Sequence, residues 1–518
     1  MRRRVQILVY LVVFFSNKFG AAQNVLYSPY INDAFNVIGK SDNYYWIEKK
    51  ETKRKGKKHA DVLTRSFEVY NTRMNLVNIV SPPESSQTLL KEYFLGNPDY
   101  FDQLLFVPEY RTTAVFLNRF TPDGNLLDAD TMILRLPFSE DGNSFLLVRS
   151  EDKNKVLLLC FESMPGVGMR MHAVLFDRKW RQLSYVIYNH RNIVQPLIQD
   201  DFTSFPIEYF NNTPVQLANN GQWLMATPSR IDNNFLLYHF NGKDTNYICT
   251  EIKLPASSNW EDVSLSVDND NGEVYGGVLS NFHFSALKNV EVIHYSLNTH
   301  RFDFDSSYRF NTLMAYRIIN ENLTHESFIM VPGAGFMLLK EYGRPYSTDF
   351  EDNNEYIDPG GLRSVFTDNA IVNTNAPLMI NKDGYTRYDK LSGPRGLYNR
   401  GDLSLFYFPA HNADSCWSGI IDKEQTTEFN SPYLSYLVVP VNQKIFFLYN
   451  SFFRSSDEEQ YGNTTILDYR GNLLIEEGLV YWKLSNTLNF QQSHQISNNE
   501  VAIPYENLKR KGFAIIRF

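Results

Sequence analysis

Short apolar or alternating runs recur from one end of the chain to the other, separated by Gly, Asn, Asp and Pro. Such runs read as strands, because side chains alternate across a pleated sheet and turns need residues that tolerate special backbone angles. Tyr44–Ile47, Val62–Val69 and Leu76–Val80 come first, then Leu104–Val107, Thr113–Leu117 and Met132–Leu136. Over residues 145–188, Phe145–Val148, Val156–Phe161, His172–Phe176 and Leu183–Tyr188 predict four strands in succession. The last two are joined by a polar hairpin at Asp177–Gln182. Comparable groups follow over 222–254, 263–304 and 434–484. Another begins at Phe328–Val331 and Phe336–Leu339, is interrupted by a long insertion around 341–400, and resumes at Leu403–Phe408 and Trp417–Ile421. Only Ser85–Phe94 reads as a helix, a short one, with apolar residues at helical spacing behind a Ser cap.

Groups of about four strands, repeated roughly every 45–70 residues, predict radial repetition in an all-β β-propeller. Each blade buries both faces against its neighbours, so its strands read as apolar runs as well as alternations. The grouping gives about seven blades, with six and eight as the adjacent counts. The final run, Gly512–Phe518, is expected to close the ring by pairing with strands near Phe35–Ile47, which removes an exposed edge. The alternative architecture, tandem β-sandwich domains, calls for a polar linker in mid-chain, and the sequence shows no convincing one.

The first 22 residues stand apart. Arg2–Arg4, the apolar run Val5–Phe15 and the small residues Gly20–Ala22 have the three-part form of a signal peptide cut before Gln23. The expectation is an exported protein, periplasmic, cell-surface or secreted, whose residues 23–518 form a single propeller domain with no transmembrane segment. Removing the leader takes away four cations and no acids, carrying the formal charge from −8 to −12. That balance disfavours a nucleic-acid partner, which needs a broad basic surface. Three cysteines are too few for a disulfide framework; Cys160 and Cys249 read as small apolar residues of buried strands. Aromatic residues make up 15% of the chain, with 38 Phe and 32 Tyr, which further favours strands. In overall style, with the cut before Gln23 and the ending Gly512–Phe518, the chain resembles secreted β-propeller proteins of unknown function from Bacteroidota. The likeness carries no diagnostic motif: WD and kelch signatures are missing, so it transfers no binding residues.

Candidate chemistry is sparse. The basic run Lys49–His59, with Lys53, Arg54, Lys55, Lys57 and Lys58 at its centre, lies between two strands and suits an anionic glycan, lipid head group or protein. A solvated hairpin tip is the plainer reading of the run. The insertion brings Tyr342, Tyr346 and Tyr356 among Glu341, Asp349, Glu351, Asp352, Glu355 and Asp358. Carboxylates in one loop suit calcium, yet the spacing matches no calcium loop; a ligand-binding loop without metal fits better. Asp268–Glu273 reads as an Asn-Gly hairpin turn. His411, Asp414 and Cys416 beside Trp417 lack the fourth ligand of a zinc site. His172, His239 and His294 sit in apolar strands as structural residues, and no Gly-x-Ser-x-Gly elbow appears. Neither metal nor cofactor is therefore expected. The leading expectation is a non-enzymatic propeller that binds a protein or glycan through one loop face, with Tyr342, Tyr346, Tyr356 and Trp417 as candidate contacts. One alternative is a carbohydrate-active enzyme, a glycoside hydrolase or lyase with carboxylates in an axial pocket. Another is a structural subunit of an envelope complex, which predicts a large exposed apolar patch.

Overall fold

The computed structural model describes residues 24–31, 34–53, 62–82, 89–137, 143–164, 168–190, 214–229, 234–253, 258–282, 288–303, 307–309, 323–331, 335–347, 396–409, 417–421, 425–427, 436–451, 461–478, 487–490, 493–497, 499–507 and 510–518. Their strands form eight small antiparallel sheets, and neighbouring sheets pack face to face as the blades of an eight-bladed β-propeller. The first blade is Ala34–Ser41, Tyr44–Lys53, Val62–Asn71 and Leu76–Val80, taken from inner to outer strand. The third is Asn143–Arg149, Lys155–Met164, Gly168–Asp177 and Gln182–His190.

Strand Lys155–Met164 shows why these sequences read as unbroken apolar runs. Val156, Leu158 and Cys160 enter the core shared with the second blade, while Leu157, Leu159 and Phe161 enter the core shared with the fourth. Alternation persists, but both faces are dry. The aromatic excess is spent in the same interfaces. Trp46 stacks on Phe101 across the first and second blades at 4.1 Å, and Trp223 on Phe240 within the fourth at 3.7 Å.

The propeller is as expected, with the higher of the adjacent blade counts, and three other expectations need correction. The eighth blade is assembled from both chain ends: Asn24–Tyr27 pairs with Arg510–Arg517, which pairs with Glu500–Asn507. Its inner strand is split into Thr487–Leu488 and His494–Ser497, too short to register as strands in the sequence. Closure therefore uses Asn24–Tyr27, not Phe35–Ile47, which belongs to the adjoining first blade and packs against the last strand through Phe35 and Phe513. The segment expected as a helix is, where described, the strand Lys91–Gly96: Tyr93 and Leu95 face the core shared with the third blade and Phe94 the core shared with the first. Finally, Cys249 is exposed on the outer strand of the fourth blade, while Cys160 is buried as expected; both are free thiols.

Candidate functional site

Strand direction gives the ring two unlike faces. On one, the turn face, lie the links between first and second strands and between third and fourth strands, such as 42–43, 150–154, 218–222, 269–272 and 469–472. On the other, the loop face, second strands end and third strands begin, as at Lys53 and Val62 in the first blade and Ser347 and Gly396 in the sixth.

The turn face uses its polar groups internally. Asp177 accepts from the backbone N–H groups of Lys179 and Arg181 at 2.9 Å, and Asp468 from those of Arg470 and Asn472 at 2.9 and 2.8 Å. Asn71 does the same for Arg73 and Asn75, and Thr121 for Asn125. In each, the fourth turn residue (Met74, Gly124, Trp180 or Gly471) takes a left-handed backbone so that the strand can restart. This five-residue pattern of polar cap, two residues, left-handed residue and restart recurs in the first, second, third and seventh blades. Of these four turns, only the one at Asp177–Gln182 was read from the sequence as a hairpin.

Nearer the axis, on the same face, side chains lace successive blades together. Lys40 of the first blade meets Glu500 of the eighth at 2.6 Å. Ser41 donates to the carbonyl of Asn97 at 2.5 Å, and Arg149 of the third blade donates to Gly96 and Asn97 of the second. Asn269 of the fifth blade donates to Glu151 of the third at 2.8 Å and accepts from the backbone N–H of Asn219 of the fourth at 2.7 Å. Blades two apart approach this closely only beside the axis, so Glu151 lies at its mouth. Burial, then the charges of Asp270, Asp268 and Asp152, push the Glu151 carboxyl above its ordinary range against the lowering effect of Asn269. Adjacent Asp152 is held low despite its partial burial, because Ser150 and Asn154 donate to it. Sequence reasoning missed Glu151, Asn219 and Asn269, since nothing local marks a residue that reaches across two blades.

On the loop-face side, between the first and second blades, lies a polar chain. Arg65 contacts Glu48 and pairs with both oxygens of Glu92 at 2.9 and 2.6 Å; Gln103 donates to Glu92 at 2.5 Å, and Asn118 to Gln103 at 3.0 Å. Burial works against the Arg65 charge, but the two glutamates override it and hold the guanidinium protonated. These donors and acceptors match one another, so the cluster stitches two blades rather than awaiting a ligand.

The sequence-predicted residues divide between the faces. Lys53, Tyr342 and Tyr346 lie in strands that run to the loop face; Arg54, Lys55, Lys57, Lys58 and Tyr356 lie outside the described residues, as does the His411–Cys416 segment. Pairing continues to Ser347↔Gly396, so the insertion proper is 348–395, and Glu341 is a buried residue of the sheet. Trp417 is at the turn-face end of its blade, apart from the tyrosines. It stacks on Tyr407 at 5.4 Å and donates to the carbonyl of Tyr469 at 3.2 Å, which ties the sixth blade to the seventh. Residues Asp268–Glu273 form the expected hairpin turn, capped by Asp268. Among the described residues, no group of three or more His, Cys, Asp or Glu is placed to hold a metal ion, and no helix is long and apolar enough to cross a membrane.

No family model and no curated protein matches the chain. Among solved structures it is similar to the WD40 domain of SCAP from fission yeast, at 9% identity and a TM-score of 0.39, covering 96% of this chain and 98% of that one. It is also similar to a polysaccharide lyase described as an ulvan lyase (11% identity, TM-score 0.29, 60% of this chain and 76% of that one). A third likeness is to a puromycin hydrolase (9% identity, TM-score 0.32, 91% of this chain and 58% of that one). Likeness at this level carries no argument about activity, and the fold rests on the strand pairing itself.

Proposed function

We propose that the protein is an exported propeller that binds a protein or glycan ligand on its loop face. The supporting observation is the asymmetry of the two faces. The turn face consumes its polar groups in caps and inter-blade bonds, whereas the strands ending at Lys53 and Ser347, which border the basic run and the insertion in the sequence, run to the loop face. Loops set on a rigid scaffold are where binding residues concentrate. Export follows from the leader before Gln23, and sequencing the N-terminus of protein recovered from culture or periplasm tests it. Because Ser347 and Gly396 are paired, a two-residue Asn-Gly turn can replace 348–395 without breaking the sheet. That deletion is expected to keep the thermal transition and to abolish capture of ligand from envelope extracts and on a glycan array. Blank results with the intact protein in both assays would sink the proposal.

A second reading, a carbohydrate-cleaving enzyme, is favoured by Glu151 alone. A carboxyl with raised pKa beside one held low is the arrangement that separates acid from base roles. Polysaccharide hydrolysis or elimination that disappears in Glu151→Gln, with an unchanged melting temperature, is the outcome that reading requires.

A further inference from the structure

Glu162, His172 and Tyr185 occupy three neighbouring strands of the third blade, on the side that faces the second. His172 Nε2 is 3.2 Å from a Glu162 oxygen, and its Nδ1 is 2.9 Å from the Tyr185 hydroxyl. A carboxylate only accepts, so Glu162 holds the proton on Nε2 and leaves the Nδ1 lone pair for the phenol. His172 is 3% exposed, and burial holds its pKa below the usual value despite Glu162, so the imidazole is neutral. Tyr185, by contrast, is 39% exposed on the outer strand, flanked on the same face by exposed Leu183 and Ile187. Arg170 pairs with Glu162 at 3.3 Å and donates to Asn189 at 2.9 Å; burial, then Cys160 and Glu162, raise the Tyr185 pKa against the opposing Arg170 charge, so the phenol keeps its proton until a base takes it. A hydroxyl within reach of a base, the base oriented by a third group, is the geometry of an activated nucleophile.

We propose that Tyr185 is a nucleophile that accepts an acyl group from a carboxylic ester with an apolar acyl part. Its oxygen bonds to the ester carbonyl carbon and the bond from that carbon to the alcohol oxygen breaks. The phenol proton passes through His172 Nδ1 to the departing alcohol oxygen, so the products are an acyl-tyrosine and a free alcohol. Leu183 and Ile187 bear on the acyl chain, and Arg170 favours the negative charge that develops on the carbonyl oxygen. This assignment is independent of any ligand on the loop face.

The test treats the full chain with p-nitrophenyl butyrate and maps butyryl adducts by peptide mass. Tyr110, at 89% exposure, is the internal reference. The expected result is a single dominant adduct on Tyr185, formed about tenfold or more faster than on Tyr110, and slowed by a similar factor in Glu162→Gln. Tyr185→Phe, which removes one partly exposed oxygen, should melt like the parent and lose the adduct. Labelling of Tyr185 no faster than Tyr110, or at a rate indifferent to Glu162→Gln, overturns the proposal.

Discussion

Asp102 has no exposed surface, and its carboxylate is shared between two blades. It pairs with Arg119 at 2.8 and 3.1 Å within the second blade and accepts from the indole of Trp180, carried on a turn of the third, at 2.8 Å. Burial raises its pKa in spite of those partners, which marks a costly group held in place by its neighbours. Replacing it with Ala strands the Arg119 charge and frees the Trp180 turn, whose left-handed backbone is unfavourable for a residue with a side chain. The expected loss is about 3–5 kcal/mol, read as a lower denaturant midpoint. His239 gives a second prediction at this scale. Burial, then the nearby charge of His300, lowers its pKa from 6.5 to about 4, while Nδ1 lies 2.8 Å from the Tyr295 hydroxyl. In the unfolded chain this imidazole takes up a proton near its ordinary pKa; in the fold it does not. Its contribution is therefore complete above pH 6.5 and is lost as pH falls toward 4, by at most about 3 kcal/mol and less with solvent screening. Thermal melts across that window should fall for the parent and flatten for His239→Gln.

Single turns carry the logic of the elements. Gly471 sits at φ +82° with the Trp417 indole 2.7 Å from where a Cβ would lie. Gly471→Ala is therefore expected to cost about 1–2 kcal/mol from the backbone alone, and more as the indole is displaced. A fall in melting temperature together with a change in Trp fluorescence would register both parts. The same elements show what the sequence could disclose. The third blade was legible over 145–188 because its strands are apolar on both faces and its turns are polar, a contrast that needs no long-range information. Lys91–Gly96 was not: with Tyr93, Phe94 and Leu95 all buried, consecutive apolar residues imitate the stripe of a helix, and only the flanking blades decide. Trp417 was legible as important but not in its role, since the Tyr469 carbonyl that accepts its indole N–H lies on a turn of the next blade and meets it only in the ring. Glu151 was invisible for the same reason, because its neighbours come from other blades.

For the whole molecule, stability depends on joining residues that are 455 or more apart. Glu500 binds Lys40 at 2.6 Å and Arg517 at 2.8 Å, and the Tyr45 hydroxyl lies 3.2 Å away. Burial alone would raise the Glu500 pKa, but the two cations outweigh it and hold the carboxyl below its usual value. The closure it supports is then present above the ordinary glutamate range and lost as pH falls through the lowered pKa. Glu500→Gln should narrow the difference between melting temperatures at pH 7 and pH 3. Deleting Asn24–Tyr27 should act more broadly, exposing the edge of Arg510–Arg517 and promoting association that light scattering would detect.

That four-residue closing strand also sets which way the disc can hang. Asn24 lies opposite Arg517, so the closing strand begins on the capped, short-turn side. On the export reading proposed above, a leader left uncut in a bilayer would act as a leash and hold that side toward the lipid. Cleavage ahead of Gln23 would free the disc to tumble with its clasp intact, so one cut would choose between an oriented sentinel and a diffusing one.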